Sequence, residues 1–279
     1  MGEYAKPRRA NVIAPPDPEV FPVHAGKRFL VSGATGGIGA AVAGLLVRQG
    51  AAVALADLDD VATRTLADHL DGASAGVHPV PLDLTDPESI AAAAERAVAL
   101  LGGLDGLANV AGIVRMASAA DHTRDLWADQ FEINVMGPFE LARRVAAHLI
   151  EEGRPGMIVN VSSDAGKQGH AEMIGYNASK AAVINWTRGA AKEWAQYSIN
   201  VNCVCPSAVD TPMLRQVALD HEQGTPDDLE TIFGVMAPEQ LGRLVTAAEV
   251  AAVISFLLQD SVQAIRGQAI NVDGGNCPY

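Results

Sequence analysis

The chain of 279 residues is poor in cysteine, in aromatic residues and in positive charge. Its three cysteines are too few for the disulfide framework of a small secreted protein, and Cys203 and Cys205 have no second Cys or His pair at metal-ligand spacing. We therefore expect buried thiols in a reducing compartment and no metal site. The 20 Lys and Arg residues are outnumbered by 33 Asp and Glu residues, which gives a net charge of -13. A field of that sign repels nucleic acids and anionic membrane surfaces.

Long apolar runs are absent as well. No segment approaches the roughly 18 uninterrupted apolar residues that a membrane span requires. Arg8 and Arg9 are not followed by the apolar stretch of a secretory signal. The sequence therefore predicts a cytoplasmic protein that has neither a membrane nor a nucleic acid as its partner.

Residues 1–26 differ in composition from the rest of the chain. Pro15, Pro16 and Pro18 block helix formation and remove backbone donors. We expect an extended or disordered N-terminal extension here, and a strap over a neighbouring subunit is the alternative. Residues 27–279 are then predicted to form one domain.

From Lys27 onward, short apolar runs alternate with segments of helical periodicity. Strands are predicted at 28–32, 52–56, 77–82, 106–110, 157–161, 200–205 and 268–272. Helices are predicted at about 38–49, 60–70, 87–101, 122–152, 175–196 and 246–259. This alternation indicates an α/β fold, in which helices cover both faces of a doubly wound parallel sheet.

The third predicted strand contains two prolines that bear on the order of the sheet. Pro79 and Pro81 cannot donate to a ladder of hydrogen bonds, so this strand belongs at an edge. The doubly wound arrangement has its third strand at the edge. We therefore predict a single-domain Rossmann fold of about seven strands in the order 3-2-1-4-5-6-7. The long connection 211–243 is predicted to be a lid over the substrate site.

A glycine-rich turn follows the first predicted strand and contains Gly33, Thr35, Gly37, Ile38 and Gly39. Such a turn lets the backbone approach a pyrophosphate closely, and the following helix offers free N–H groups to the phosphates. A tight structural turn is the alternative interpretation. The spacing differs from the common G-x-G-x-x-G fingerprint. It resembles the variant used by the short-chain dehydrogenase/reductase family.

The second predicted strand ends at Asp57, which Leu58 follows. An acid at this point can accept hydrogen bonds from the adenosine ribose and repels a 2′-phosphate, so the sequence predicts NAD and not NADP. A helix N-cap is the alternative role of Asp57. The resemblance to the family implies that the cofactor also meets Asp83, Leu84, Asn109, Ala111, Gly112, Pro206, Val209 and Thr211.

Three polar residues stand at a spacing typical of catalysis. Tyr176 and Lys180 are four residues apart, so a helix places them on one face. A tyrosine with a pKa near 10 is a poor base at neutral pH, and a neighbouring ammonium lowers that pKa. Taken separately, Tyr176 and Lys180 would be explained as a surface pair, and Ser163 as a cap at the end of a strand. Together they form Ser-x12-Tyr-x3-Lys, which resembles the family's catalytic triad, and the resemblance covers about 27–275.

The resemblance implies that a hydride is transferred at C4 of the nicotinamide. Tyr176 would be the general base in alcohol oxidation and the acid in ketone reduction. Lys180 would lower the pKa of the tyrosine and bind the nicotinamide ribose, and Ser163 would stabilise the substrate oxygen. Asn134 falls where the family has a fourth catalytic residue, which holds a water in a proton relay.

We therefore expect an NAD-dependent enzyme that interconverts a secondary alcohol (a polyol, a diol or a hydroxylated ring) and its ketone. The alternatives are an NADPH-dependent ketoreductase of the 3-oxoacyl-carrier type and a non-catalytic cofactor-sensing module. The segment between Ser163 and Tyr176 either lines the substrate cleft or forms a solvated loop. Its polar and long side chains are Asp164, Lys167, Gln168, His170, Glu172 and Met173. The resemblance also implies a homo-oligomer, either a tetramer or a dimer.

Overall fold

In a computed structural model, which describes residues 21–71, 76–222 and 229–277, a parallel seven-stranded sheet has the order β3-β2-β1-β4-β5-β6-β7. The strands are β1 (Arg28–Ser32), β2 (Ala52–Asp57), β3 (Val77–Pro81), β4 (Gly106–Asn109), β5 (Gly156–Val161), β6 (Ile199–Pro206) and β7 (Ala269–Val272). The predicted fold and strand order are confirmed, with the proline-containing strand at the edge.

Helices cover both faces of the sheet. They are α1 (Gly37–Arg48), α2 (Asp60–Asp71), α3 (Pro87–Leu101), α4 (Arg124–Phe131), α5 (Gly137–Glu151), α6 (Ile174–Glu193), α7 (Pro212–Glu222), α8 (Leu229–Met236) and α9 (Ala247–Leu257). Alternate residues of β1 enter different cores, because Phe29 packs with α1, α2 and α9 while Leu30 packs with α3, α5 and α6. Burial on both faces explains why the strands are continuous apolar runs.

The predicted helix 122–152 is not regular throughout. A π-helical turn, Glu132–Met136, separates α4 from α5. Pro138 has no N–H to donate to the carbonyl four residues earlier, which favours such an irregularity. Gly137 lies close to the loop that follows β3. A Cβ on Gly137 would lie 2.4 Å from the Leu84 carbonyl oxygen. The irregular turn contains Asn134 and therefore sets the direction in which its side chain points.

Residues 1–20 of the predicted extension lie outside the described residues. The segment 21–26 turns against the domain, and His24 is buried there. His24 Nε2 lies 3.1 Å from both the carbonyl and the hydroxyl oxygen of Ser255 in α9. In the part of the chain that the structure describes, no helix has the length and apolarity to cross a bilayer.

Candidate active site

The turn between β1 and α1 requires glycine at two positions. Gly33 has a φ of +66°, and a Cβ there would lie 2.6 Å from the Ala111 Cα. A Cβ on Gly39 would lie 1.9 Å from the Gly33 carbonyl oxygen. Gly36 caps α1 without a side-chain hydrogen bond, so the first N–H groups of the helix stay available to an anion. This backbone cradle fits the pyrophosphate of a dinucleotide.

Asp57 lies beside this cradle at the end of β2. Its Oδ2 accepts hydrogen bonds from the Thr35 amide at 2.9 Å and the Thr35 hydroxyl at 2.8 Å. Its Oδ1 accepts from the Leu58 amide at 2.8 Å. The alternative role as the cap of α2 belongs instead to Asp59, whose Oδ1 accepts from the Ala62 amide at 2.9 Å. Asp57 is thus held at the edge of the cofactor cavity by the glycine-rich turn.

A cavity of about 500 Å³ extends from this point along the carboxyl ends of β1, β2 and β4. It brings together most of the residues predicted to bind the cofactor. They are Gly33, Thr35, Gly37, Ile38, Gly39, Asp57, Leu58, Asp83, Leu84, Ala111, Gly112 and Thr211. None of the described residues that line it is Lys or Arg.

The side chain of Asn109 is not brought into this cavity. Its Nδ2 donates to the Pro138 carbonyl at 2.9 Å and to Asn160 Oδ1 at 3.1 Å, while its Oδ1 accepts from the Ser32 hydroxyl at 3.3 Å. Asn109 is buried among these partners. Its side chain therefore joins β1, β4, β5 and α5 behind the cavity wall.

A second cavity of about 400 Å³ lies at the carboxyl ends of β5 and β6. Its lining includes Ser163, Tyr176, Lys180, Pro206 and Val209. The two cavities share the lining residues Ile38, Val110, Gly112, Thr211 and Met213. They therefore form one continuous cleft, with the glycine-rich turn at one end and the Ser-Tyr-Lys residues at the other.

Helix α6 places Tyr176 and Lys180 on one face, as predicted. The Lys180 ammonium lies 5.6 Å from the centroid of the tyrosine ring and donates to the Val161 carbonyl at 3.1 Å. Ser163 follows β5 and accepts a hydrogen bond from the Ala165 amide at 3.1 Å. The Ser163 hydroxyl donates to Asp164 Oδ1, also at 3.1 Å.

The protonation of the pair differs from the expectation. Desolvation raises the pKa of Tyr176 to about 12, although a hydrogen bond with Ser163 acts in the other direction. Burial lowers the pKa of Lys180 to about 8. The expected lowering of the tyrosine pKa by Lys180 was therefore wrong for this structure. Desolvation of the phenol is the largest cause of the raised pKa, and the Lys180 ammonium, 5.6 Å from the ring centroid, does not offset it.

Asn134 approaches Lys180 from the π-helical turn. Its Nδ2 donates to the Ile113 carbonyl at 2.9 Å and to the Ser179 hydroxyl at 3.0 Å. A Cβ added to Gly112 would lie 3.0 Å from Lys180 Nζ and 3.1 Å from Asn134 Oδ1. The Lys180 ammonium and the Asn134 amide oxygen thus both lie next to Gly112, and a side chain at this position would crowd them.

Comparisons with known proteins agree with this geometry. A family model described as "Enoyl-(Acyl carrier protein) reductase" matches residues 33–276. The chain is 36% identical to the 3-oxoacyl-[acyl-carrier-protein] reductase FabG of Thermotoga maritima, over 90% of this chain and 97% of that protein. A short-chain type dehydrogenase/reductase from Mycobacterium marinum has a TM-score of 0.84 at 28% identity, over 92% of this chain and 97% of that one. The chain belongs to the short-chain dehydrogenase/reductase family.

The predicted family is confirmed, and this short-chain dehydrogenase/reductase is an oxidoreductase of a family that uses a nicotinamide cofactor. The name of another relative describes a dehydrogenase of a ring that carries a hydroxyl group. It is the cis-4-hydroxycyclohexanecarboxylate dehydrogenase of Sinomonas cyclohexanicum, 39% identical over 88% of this chain and 94% of that protein.

Several residues between Ser163 and Tyr176 line the second cavity of this short-chain dehydrogenase/reductase. Asp164, His170 and Met173 belong to the lining, whereas Lys167 turns away and donates to the Ala269 carbonyl at 2.8 Å. The helices α7 and α8, which lie in the predicted lid, supply part of the apolar wall. Their lining residues are Met213, Leu214, Val217, Val235 and Met236.

Asn276 is a residue of this cavity that sequence reasoning missed. Its Nδ2 donates to Asp164 Oδ2 at 2.7 Å and to the Ser207 hydroxyl at 3.1 Å. Gly274 and Gly275 both have positive φ and turn the chain back toward the cavity. The two glycines are the signal for a turn here, but no local pattern indicates that the turn ends beside a residue 112 positions earlier.

Proposed function

We propose that this short-chain dehydrogenase/reductase is an NAD-dependent dehydrogenase of small secondary alcohols. The observation that carries the choice of cofactor is Asp57, whose carboxylate lies at the edge of a cavity with no Lys or Arg among its described lining residues. A ribose with two free hydroxyls can donate to that carboxylate. A 2′-phosphate would meet a negative charge and no cation.

The proposed chemistry uses the groups at the other end of the cleft. Hydride acceptance from the carbinol carbon, or hydride donation to the ketone, is the chemistry that a bound dinucleotide would supply. Tyr176 would take the hydroxyl proton in oxidation and give it back in reduction, while Ser163 would hold the same substrate oxygen. Lys180 would bind the nicotinamide ribose, and Asn134 would connect it to solvent through a water. Val209 and Thr211 would orient the carboxamide.

The raised pKa of Tyr176 predicts how the two directions depend on pH. A tyrosine that stays protonated is ready to act as an acid, so ketone reduction should proceed at neutral pH. Oxidation needs the phenolate, so its rate should increase as the pH rises toward the tyrosine pKa. We therefore expect the oxidative activity to be greatest under alkaline conditions.

The shape and polarity of the second cavity support a small hydroxylated substrate. Most of its wall is apolar, and its polar groups gather at the end formed by Ser163, Asp164 and His170. A volume of about 400 Å³ suits a single ring or a short polyol. The ring alcohol in the name of the Sinomonas cyclohexanicum relative lends further support.

The test is a panel of cyclic alcohols, diols and polyols with NAD at about pH 9, followed by NADH absorbance. We expect oxidation of at least one member by the purified protein. The Tyr176→Phe variant should lose turnover by about 100-fold or more while it still binds NADH, because only the proton-transfer group is removed. No oxidation of any alcohol in the panel would contradict the proposal, and so would full activity of the variant.

The second candidate is an NADPH-dependent ketoreductase of the 3-oxoacyl-carrier type, which the similarity to the Thermotoga maritima reductase favours. The two candidates differ in cofactor preference. Fluorescence titrations with NADH and NADPH separate them without any substrate. Tighter binding of NADPH would replace the NAD assignment with this alternative.

We also propose that the protein assembles as a homo-oligomer through α5, α6 and the π-helical turn between α4 and α5. These elements expose three large apolar side chains, Met136 at 55%, Phe139 at 37% and Ile174 at 38%, which a contact with a second copy would cover. Light scattering on the purified protein should give the mass of a dimer or a tetramer. A monomeric mass would contradict this assignment.

A further inference from the structure

Asp164 is a buried carboxylate at the polar end of the substrate cavity. It follows Ser163 directly and is only 5% exposed. Its Oδ1 accepts the Ser163 hydroxyl at 3.1 Å and lies 3.5 Å from His170 Nε2. Its Oδ2 accepts from Asn276 Nδ2 at 2.7 Å. A carboxylate buried this deeply needs such partners. Ser163 and His170 are close to it in sequence, whereas Asn276 comes from the C-terminal segment.

This carboxylate acts on Ser163 through a hydrogen bond. The Ser163 hydroxyl donates its one proton to Asp164 Oδ1, and the Ser163 oxygen accepts from the Ala165 amide. The hydroxyl has to rotate away from Asp164 before it can donate that proton to a substrate oxygen. These two contacts set the rotation of the Ser163 side chain. They therefore decide where the hydroxyl stands when a substrate oxygen arrives.

Asp164 also acts on Tyr176 through its charge. The groups that face the phenol are Ser163 and Asp164 from the end of β5 and Lys180 from its own helix, with His170 beside Asp164. The negative charge of Asp164 disfavours a phenolate and contributes to the raised pKa of Tyr176. His170 offsets part of that charge when it is protonated, and the Asp164 carboxylate raises the pKa of His170.

We propose that Asp164 is a positioning residue of this active site, which orients the Ser163 hydroxyl and places a negative charge in the cavity that Tyr176 lines, with Asn276 holding it in place from the C-terminal segment. The inference rests on the proposed role of Tyr176 in proton transfer. It assigns a function to two residues that the Ser-Tyr-Lys spacing does not include. It also predicts that the charge of Asp164 favours ketone reduction over alcohol oxidation at neutral pH.

The pH profile of kcat tests the charge. In Asp164→Asn the tyrosine loses a nearby negative charge, so the pH at which oxidation reaches half its maximum should fall by about one unit. The decline of ketone reduction at high pH should move in the same direction. The Asn276→Ala variant keeps the charge of Asp164 but removes a hydrogen bond that holds its carboxylate. Its kcat should therefore fall by about 10-fold, while the pH midpoint of oxidation should not fall. A midpoint within about 0.2 units of the wild type in Asp164→Asn overturns the proposal.

A second measurement needs neither turnover nor cofactor. The His170 imidazole is followed by NMR, with His170→Gln used to assign its resonance. Asp164→Asn should lower the pKa of His170, and an unchanged pKa overturns the proposed geometry. A lowered pKa in a protein that oxidises no alcohol counts against the proposed function instead. If Asp164→Asn does not fold, Asn276→Ala decides, because an unchanged kcat in that variant overturns the proposal.

Discussion

In the proposed function, the choice between NAD and NADP depends on the single side chain of Asp57. The Thr35 amide and hydroxyl use both lone pairs of its Oδ2, and the Leu58 amide uses one of the two on Oδ1, which leaves one acceptor site on Oδ1. The carboxylate can therefore accept a ribose hydroxyl at Oδ1 without a change of rotamer. The same orientation keeps its charge where a 2′-phosphate would lie.

Asp57→Ser should weaken NADH binding by about 10-fold and reduce the preference for NADH over NADPH. The variant loses a charge-assisted hydrogen bond to the ribose and the repulsion of the phosphate together. Fluorescence titration with each dinucleotide measures both effects. Asp60→Ser is the matched control, because it removes a half-buried acid at the start of α2 that pairs with Arg64 and does not line the cavity. An unchanged ratio of the two affinities in Asp57→Ser would count against the NAD assignment.

The sequence predicted which residues form the candidate site better than it predicted their protonation states. Tyr176 and Lys180 share a face of α6 because they are four residues apart, and helical spacing alone predicts this. Ser163 lies outside that helix, and only the resemblance to the family indicated that it belongs with them. The pKa of Tyr176 depends on how much water and how many charges surround the ring. Asp164 and the burial of the site determine that, and both are properties of the folded chain.

At the level of elements, the start of α9 is built from a reciprocal cap. The Thr246 hydroxyl accepts from the Glu249 amide at 3.2 Å, and Glu249 Oε2 accepts from the Thr246 amide at 2.9 Å. Arg243 pairs with the same carboxylate at 2.7 Å. Hydrogen bonding from Arg243 lowers the pKa of Glu249 to about 2. The cap thus connects the end of the lid region to a helix that packs on α1.

Glu249→Gln should therefore destabilise the protein by about 1 kcal/mol at neutral pH, because the charge-assisted bonds become neutral ones. The pKa of Glu249 is lower in the folded state than in the unfolded state. Its stabilisation is complete above the unfolded value and disappears as the pH falls toward about 2. Urea unfolding at pH 7 and at about pH 3 checks this, since the difference from wild type should shrink at the lower pH. A constant difference would contradict the ion-pair explanation.

Elements of regular periodicity were predictable, and those whose form depends on tertiary contacts were not. Every predicted strand is present, with ends that differ by at most one residue, because burial on both faces leaves continuous apolar runs. Helices α7 and α8 were not predicted within 211–243. Their apolar residues line the second cavity as well as the core, which blurs the amphipathic pattern. The π-helical turn at Glu132–Met136 has no sequence period of its own.

Over the whole molecule, one polar chain connects distant parts of the sequence. His24 Nε2 lies 3.1 Å from the Ser255 hydroxyl, which donates to Gln49 Oε1 at 2.6 Å. The ring of His24 also packs edge-on against Phe29, with 5.1 Å between the centroids. Segment 21–26, the end of α1 and α9 are thereby held together. Because the imidazole is buried, desolvation lowers the pKa of His24.

This buried histidine makes the stability of the whole domain depend on pH. Its pKa is lower in the folded state than in the unfolded state, so below the unfolded value near 6.5 the unfolded chain binds the proton more readily. Stability from His24 is thus complete above that pH and decreases as the pH falls through the range between the two values. His170, whose pKa is raised, acts in the opposite sense. The difference between variants, and not the wild-type curve alone, therefore isolates the effect of His24.

We expect His24→Gln to be less stable than wild type by about 1–2 kcal/mol at pH 7.5, because it loses the ring contact and part of the hydrogen bonding. As the pH falls toward about 5, the wild type must either protonate His24 in a buried position or unfold, whereas the variant has no proton to accept there. The gap between the two proteins should therefore narrow at acid pH in urea titrations. His69→Gln, an exposed change on α2, is the control and should follow the wild type. A gap that stays constant from pH 7.5 to 5 would show that His24 holds the N-terminal segment by packing alone.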